Sequence, residues 1–327
     1  MTEIFRGPNA TAEIEITCFD DWNERSAVRS RIYAYDCSSI NTKPSGKTWF
    51  VPAALPYLEH PALKELGSSA QQNMLARNLV FFLEYTTLLE HRIVNRSAEL
   101  IAHDYLSVPI PLSMRMDALK LYADEGYHAV ISADVARQVA NIHQFRIPAA
   151  QFERIDRLED LAANADEKFN KLGWFLIGFV SETVITKEFL RIAKSTIVAP
   201  VYNMLRDHLE DEWIHGRYFS EMFSYLWPRL SKPEKDFCAN QLPLIILECF
   251  RLEKNWLAAN LVEIGVEPSI AVEICGERGS EHNNRMRASQ GIFATLKALQ
   301  RTTFFSNTAY VKRFCDLGLI EMERKRP

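Results

Sequence analysis

The chain has 327 residues, enough to bury a large core, and its 47% hydrophobic and 24% charged residues are typical of a globular protein. The formal net charge of −4 argues against a nucleic-acid partner, and no apolar stretch is long enough to span a membrane. Because the N-terminus lacks the basic and apolar regions of a signal peptide, we expect the cytoplasm.

Residues 1–50 are predicted to be irregular, with one short helix in FDDWNERSAVRSR (19–31). The remaining sequence carries a 3.6-residue hydrophobic period with little glycine or proline. This period predicts long helices at about 66–106, 112–146, 164–194, 200–228, 232–264 and 280–302, and shorter ones at about 153–163, 267–277 and 306–317. We therefore predict one all-α domain over residues 1–327, with a bundle core at 66–228 and additional packing helices at 232–327.

One five-residue pattern occurs twice inside these helices, as DEGYH (124–128) and DEWIH (211–215). In each copy a glutamate and a histidine three residues apart share a helical face: Glu125 with His128, and Glu212 with His215. A carboxylate and an imidazole at this spacing can bind one metal ion. The alternative interpretation is two acid–histidine pairs on the protein surface.

Two such pairs, with one glutamate from each of two further helices, form the carboxylate-bridged di-iron site of ferritin-like bundles. Carboxylates can bridge two ions, imidazole suits iron, and the pattern has no thiolate ligand for an iron–sulfur cluster. The pattern therefore predicts a ferritin-like helical bundle with two iron ions. It also explains the repeat, because a two-iron site needs two half-sites.

The two additional glutamates are chosen by their helical faces. In the helix before DEGYH the candidates are Glu84, Glu90 and Glu99, and the face of Glu90 is the most apolar. In the helix before DEWIH the candidates are Glu182 and Glu188. Glu182 is preferred because its face is aromatic, and a buried carboxylate there needs a partner or a metal.

Asp124 and Asp211, the first residues of the two motifs, are predicted to support the ligands from outside. A metal-bound histidine usually donates its second N–H group to a carboxylate. We expect each aspartate to hold the histidine of the other motif. The alternative is an aspartate exposed to solvent.

A third histidine breaks the symmetry of the two motifs. His208 lies four residues before Glu212 and so shares its helical face, where we expect it to reach the iron bound by Glu182 and His215; Leu121 is the equivalent residue before Glu125. With this addition the chain resembles the p-aminobenzoate N-oxygenase family of ferritin-like di-iron oxygenases. The segments that carry the resemblance are LLEHRIV, YADEGYHA, VSET and RDHLEDEWIHGRYF, within residues 80–220.

The resemblance implies a set of seven metal ligands: Glu90, Glu125, His128, Glu182, His208, Glu212 and His215. It also implies that O2 is the co-substrate and that a small primary amine, an arylamine or an amino-acid-derived amine, is oxidised to a hydroxylamine, nitroso or nitro product, in secondary metabolism. A reductase or ferredoxin as electron donor and a homodimer are further expectations from the family.

Other functions remain open at the level of sequence. Another di-iron oxidase, a carbon hydroxylase or a desaturase, would use six of the same ligands without the third histidine. A ribonucleotide reductase radical subunit normally has a tyrosine where Ser132 stands. A metal-free helical interaction protein is the alternative from a different class, and it would be colourless where an iron-loaded oxygenase is coloured.

Overall fold

The computed structural model of the chain describes residues 17–31, 35–40, 46–147, 152–189 and 196–321, without the side chains of residues 185–189. Regular structure in these ranges is helical. The strand-like pairing among them is a single isolated bridge between Thr48 and Ile197. The predicted all-α fold class is confirmed.

The α-helices are numbered here in chain order. They are α1 (Trp22–Arg25), α2 (Ala27–Ser30), α3 (Pro61–Glu65), α4 (Gly67–Leu89), α5 (Asn95–Ala102), α6 (Leu112–His143), α7 (Glu153–Ala163), α8 (Glu167–Phe189), α9 (Ala199–Leu226), α10 (Lys232–Cys249), α11 (Lys254–Glu263), α12 (Pro268–Arg278), α13 (Glu281–Gly291), α14 (Phe293–Gln300) and α15 (Thr308–Asp316). A π-helical turn, Glu90–Val94, joins α4 to α5. Residues 190–194 of the helix predicted at 164–194 lie outside the described residues.

Four long helical stretches form the bundle: α4 continued by α5, then α6, α8 and α9. The first stretch packs along α6, α8 packs along α9, and α5 also contacts α8. Residues 103–111 connect α5 to α6 as a turn, so these two stretches form a helical hairpin. The inner faces of all four stretches consequently meet along the bundle axis.

Helix α9 shows how the sequence period becomes an inner and an outer face. Its buried positions recur every three or four residues, and the exposed positions between them are mostly charged. The buried side chains include Val201, Met204, Leu205, His208, Glu212, His215 and Phe219, and the exposed ones are Asn203, Arg206, Glu210, Trp213 and Arg217. Three of these buried side chains, His208, Glu212 and His215, are titratable, which the packing of an apolar core does not require.

The remaining helices form an outer layer around the bundle. α10 packs on α7, α8 and α15, α14 packs on α8 and α9, and α11 packs on α12 and α4. In the part of the chain that the structure describes, no helix combines the length and the hydropathy needed to cross a membrane.

Two predicted helices are each broken in two. The helix predicted at 232–264 is interrupted between α10 and α11, where buried Glu253 accepts hydrogen bonds from the backbone N–H groups of Glu153 (3.2 Å) and Arg154 (2.8 Å) at the start of α7. The helix predicted at 280–302 is interrupted after Gly291, where the Phe250 ring occupies the space that a Cβ atom would need. Both breaks result from contacts between residues far apart in the chain, which periodicity does not report.

The described residues of the N-terminal segment lie against the bundle. In FDDWNERSAVRSR the structure has two short helices, α1 and α2, where the sequence predicts one, and α2 packs on both α6 and α9. Residues 1–16, 32–34 and 41–45 of the segment predicted to be irregular lie outside the described residues. The N-terminal segment thus covers the two helices that carry the D-E-x-x-H motifs.

Candidate metal centre

The four stretches of the bundle bring seven titratable side chains into one buried cluster. The π-helical turn supplies one glutamate, α8 supplies another, α6 supplies a glutamate and a histidine, and α9 supplies a glutamate and two histidines. They are Glu90, Glu182, Glu125, His128, Glu212, His208 and His215, and each has an exposed fraction of 0%. These are the same seven residues that the sequence points to.

Glu90 is positioned by a local irregularity that periodicity does not predict. It begins the π-helical turn Glu90–Val94 within a helix that the sequence predicts to be continuous. A π turn holds one more residue than an α turn and is frequent at functional sites. Within this turn Glu90, Ile93 and Val94 are all buried in the bundle.

The glutamates of the two motifs, Glu125 and Glu212, lie in the middle of the cluster. His128 Nδ1 is 3.2 Å from Glu125 Oε2 and 3.2 Å from Glu212 Oε1. His215 Nδ1 is 2.8 Å from Glu125 Oε1 and 3.5 Å from Glu212 Oε1. Each glutamate therefore lies between the two motif histidines, and we call Glu125 and Glu212 the shared carboxylates.

One end of the cluster, the first pole, consists of Glu90, His128 and His208. His208 Nε2 is 2.9 Å from Glu90 Oε1 and 3.0 Å from Glu212 Oε1, and the His208 and His128 ring centroids are 4.0 Å apart. This corrects the expectation that His208 lies beside Glu182 and His215. A position one turn before Glu212 on α9 faces Glu90 across the bundle.

The other end, the second pole, consists of Glu182 and His215. Glu182 Oε2 is 3.8 Å from His215 Nδ1, a looser approach than any at the first pole. Two groups of ligand atoms lie within 4.8 Å of one another: one joins Glu90, His128, His208 and Glu212, and one joins Glu125, His128, Glu212 and His215. Glu182 is outside both groups and flanks the second.

The two aspartates contact the histidines from outside, each across to the other motif. His128 Nε2 is 3.1 Å from Asp211 Oδ2, and His215 Nε2 is 3.3 Å from Asp124 Oδ2. Each motif histidine can therefore donate its Nε2–H group outwards and keep the Nδ1 lone pair directed into the cluster. His208 has the opposite orientation, with Nε2 directed inwards.

The N-terminal segment holds both aspartates, and we call its residues Trp22, Ser26 and Ala27 the N-terminal clamp. Trp22 Nε1 donates to Asp124 at 2.9 Å, and the Ser26 hydroxyl also donates to Asp124. The Ala27 N–H group donates to Asp211 Oδ2 at 3.1 Å. The sequence shows no signal for these contacts, because they join residues about a hundred or more positions apart.

Two of the other candidates from the sequence, Glu84 and Glu99, do not enter the cluster. Glu84 is half-buried, and Glu99 pairs with Arg96 on the surface. His91, next to Glu90 in the chain, is exposed. The side chain of Glu188 lies outside the described residues.

Neighbouring carboxylates raise the pKa of each of the three histidines. Burial and the adjacent His128 would lower the pKa of His208, but Glu90 and Glu212 raise it to about 9. Burial would likewise lower the pKa of His128 and His215. Hydrogen bonds to Asp211, Glu125 and Glu212 instead hold the pKa of His128 well above its usual range, and the charge of Glu125 does so for His215.

The pKa values of Glu90 and Glu182 shift in the opposite direction from that of Glu212. Burial raises the pKa of Glu90 to about 7, and burial together with the charges of Glu212 and Glu125 raises the pKa of Glu182 well above its usual range. Burial would also raise the pKa of Glu212, but hydrogen bonds from the three histidines hold it well below its usual range. The cluster therefore retains protons when no cation compensates its carboxylates.

The donor set fits two divalent metal ions. In the described ranges, Glu90, Glu125 and Glu212 form ion pairs with histidines only, and Glu212 Oε2 is buried without a hydrogen-bond partner. An uncompensated buried charge is costly, whereas two divalent ions would balance four carboxylates beside neutral imidazoles. Oxygen and nitrogen donors without a thiolate suit iron.

Comparison with protein-family models matches residues 23–300 to the family described as P-aminobenzoate N-oxygenase AurF. The matched region contains the four stretches of the bundle and all seven residues of the cluster. A comparison with curated proteins found no match.

Proposed function

Because the chain belongs to the p-aminobenzoate N-oxygenase family, it is a di-iron enzyme that uses O2 to oxidise an amine nitrogen, and we propose which of its residues hold the two irons. The proposal rests on one observation, the burial of four carboxylates and three imidazoles in a single cluster.

We assign one iron to each pole. Glu90, His128 and His208 would hold the first, Glu182 and His215 would hold the second, and Glu125 and Glu212 would serve both. The short distances from His128 and His215 to both shared carboxylates support this division. Asp124 and Asp211 would orient the histidines without binding iron.

When bound, the two irons supply the chemistry that reduces O2 and transfers one oxygen atom to nitrogen. The residues of the chain contribute orientation and exclusion of water. Asp124 accepts a hydrogen bond from the Nε2–H group of His215, and Asp211 accepts one from that of His128, which fixes the tautomer with Nδ1 free to bind metal. The 0% exposure of the cluster residues keeps bulk water from the reaction.

The balance of the reaction requires an electron donor. Conversion of an amine and O2 into a hydroxylamine and water consumes two electrons and two protons. We propose that a reductase or ferredoxin supplies the electrons. Further rounds at the same nitrogen would give the nitroso and nitro products.

The substrate proposed is a small primary amine, either an arylamine or an amino-acid-derived amine, and the setting proposed is secondary metabolism. The family takes its name from p-aminobenzoate, which favours testing arylamines first. A cytoplasmic enzyme is consistent with the six cysteines, all of which lie in described ranges and none of which forms a disulfide. A homodimer is also proposed.

The test is an assay of iron-loaded protein with a reductant, 18O2 and a panel of aromatic and amino-acid-derived amines. The expected result is a product whose added oxygen carries the 18O label on nitrogen. His91→Ala, which changes an exposed histidine beside Glu90, serves as the control and should keep this activity. If the iron-loaded protein hydroxylated or desaturated carbon and left every amine unchanged, the proposed amine substrate would be wrong.

A further inference from the structure

Helix α8 contains two glycines, Gly173 and Gly178, and both are buried. Glycine destabilises the interior of a helix relative to alanine, so a buried helical glycine calls for a reason in its packing. At Gly173 an added Cβ atom would make ordinary contacts, with Ala162 Cα and Phe237 Cζ each 3.6 Å away. Packing therefore does not exclude alanine at this position.

Gly178 is different, because α5 lies directly against it. An added Cβ atom would lie 2.5 Å from Ser97 Cβ, closer still to Ser97 Oγ, and 3.3 Å from Phe219 Cε1. Carbon atoms in ordinary contact are about 3.5 to 4.0 Å apart, so alanine here would force α5 and α8 apart by about 1 Å. Rotation of the Ser97 hydroxyl would not relieve this contact, because the Cβ atom of Ser97 stays in place.

Ser97 also bonds α5 to α8 at this point. Its side chain has an exposed fraction of 0%, and its hydroxyl group donates to the carbonyl oxygen of Trp174 at 2.6 Å. Trp174 lies one turn before Gly178 on α8. The serine therefore links the helical stretch of Glu90 to α8, and the glycine makes room for it.

This contact lies one helical turn from the second pole. Gly178 is four residues before Glu182 on α8, and Phe219 is four residues after His215 on α9. Each therefore shares a helical face with a residue of that pole. A close contact among α5, α8 and α9 thus lies directly beside the approach of Glu182 to His215.

A displacement here should affect Glu182 more than Glu90. Glu182 Oε2 approaches the cluster loosely, 3.8 Å from His215 Nδ1, whereas Glu90 Oε1 is 2.9 Å from a histidine nitrogen. Gly178 is only four residues from Glu182, while Ser97 is seven residues from Glu90, across the π-helical turn. The second pole is therefore the more sensitive of the two to the spacing of α5 and α8.

We propose that Gly178 and Ser97 are positioning residues, whose contact sets the distance of Glu182 from the rest of the cluster and so the iron affinity of the second pole. The inference rests on the proposed assignment of Glu182 to the second iron. Neither positioning residue binds iron in that assignment. Gly178→Ala would move Glu182 outwards by about 1 Å, and a misplacement of this size can cost about 100-fold in rate.

The first experiment compares Gly178→Ala with Gly173→Ala by anaerobic Fe(II) titration. Both changes add one methyl group to the buried part of α8, and both favour the helix. Gly173→Ala should bind two irons as the parent does. Gly178→Ala should lose about 10- to 100-fold in affinity at the second pole, the usual effect of removing support from a ligand, and should keep the affinity of the first pole. Equal loss at both poles, or no loss at either, would overturn the proposal.

A second substitution separates positioning from a general loss of stability. Ser97→Gly removes the atoms that Gly178→Ala would meet, so the double variant should bind iron at the second pole as tightly as Ser97→Gly alone. Failure to regain that affinity would overturn the proposal. If Gly178→Ala alone does not fold, the double variant decides, because it should fold and bind iron like Ser97→Gly.

The parent protein separates this inference from the proposed function. A parent that binds fewer than two irons would overturn the assignment of the irons and this inference with it. A parent with two irons, matched at both poles by Gly178→Ala, would overturn the role of Gly178 alone. With iron at saturation, amine oxidation should fall about 100-fold in Gly178→Ala and stay at the parent rate in Gly173→Ala.

Discussion

The two poles of the cluster share a sequence pattern and differ in structure. Each contains a glutamate from the earlier helix and the histidine of a D-E-x-x-H motif. The first pole also contains His208, which contacts Glu90, and Glu90 lies in a π-helical turn. Glu182 at the second pole lies in the regular helix α8. A repeated motif therefore does not imply two equivalent metal positions.

The supports outside the poles differ as well. Asp124, which contacts the second-pole histidine His215, accepts hydrogen bonds from the Trp22 and Ser26 side chains. Asp211, which contacts the first-pole histidine His128, accepts a backbone hydrogen bond from Ala27. The pole with fewer nitrogen donors thus has the more elaborate support.

The largest effect is expected at the shared carboxylates, because a change there should affect both poles. Glu212→Gln should reduce iron binding at both poles, because Glu212 Oε1 lies 3.0 to 3.5 Å from His208, His128 and His215. Iron content measured by elemental analysis should fall from about two per chain to near zero. Retention of one iron would show that Glu212 serves a single pole.

The histidine variants should separate the poles. His215→Ala removes the one imidazole of the second pole, so it should lose that iron, whereas His208→Ala leaves His128 at the first pole and should keep most of its iron. The yield of oxidised amine should fall in both variants, because each loses an imidazole of the cluster. The imidazole lost in His208→Ala is the one beside Glu90.

Iron content and amine oxidation should be compared with the parent and with His91→Ala, which changes an exposed histidine. If His208→Ala behaved like His91→Ala in both measurements, His208 would not be a ligand. Equal loss of iron in His208→Ala and His215→Ala would contradict the asymmetry of the poles.

The N-terminal clamp should have a smaller effect, confined to the second pole. Trp22→Phe removes the indole N–H group that donates to Asp124 and keeps an aromatic ring. Iron affinity at the second pole should fall about 10- to 100-fold, the usual range for a partner that supports a ligand. Anaerobic iron titration measures both sites, and an equal loss at both would show that the clamp does not distinguish them.

The smallest effect concerns pH. The pKa of His208 in the metal-free protein is raised to about 9 from 6.5, so its contribution to stability is present below about pH 6.5 and is lost as pH rises through about 9. The pKa of Glu90, raised to about 7 from 4.5, acts in the same direction at lower pH. Bound iron replaces these protons in compensating the charge of the carboxylates.

Thermal unfolding should therefore show a difference in Tm between iron-loaded and metal-free protein that widens from pH 6.5 to pH 9. The metal-free His208→Ala variant should depend less on pH over the same interval. A difference that narrowed with rising pH would mean that the histidines do not hold protons in the metal-free protein.

The sequence predicts the residues of the cluster better than their arrangement. Helical periodicity and the E-x-x-H spacing are local, so they point to Glu125, His128, Glu212 and His215 and to the inward faces of the two earlier helices. The predicted bundle agrees with the structure for the same reason.

Other features depend on distant contacts and could not be predicted. The pole to which His208 belongs is decided by Glu90 across the bundle. The N-terminal clamp joins Trp22 to Asp124, and the break before α11 follows from the contact of Glu253 with the start of α7. Periodicity within one helix carries no information about any of these partners.

Anaerobic addition of Fe(II) to metal-free protein, followed by equilibrium dialysis and near-infrared circular dichroism, tests the central claim most directly. The account predicts an end point of about two irons per chain, with two sites of unequal affinity and distinct spectra. An end point of one iron, or two sites that fill with the same affinity and the same spectrum, would contradict it.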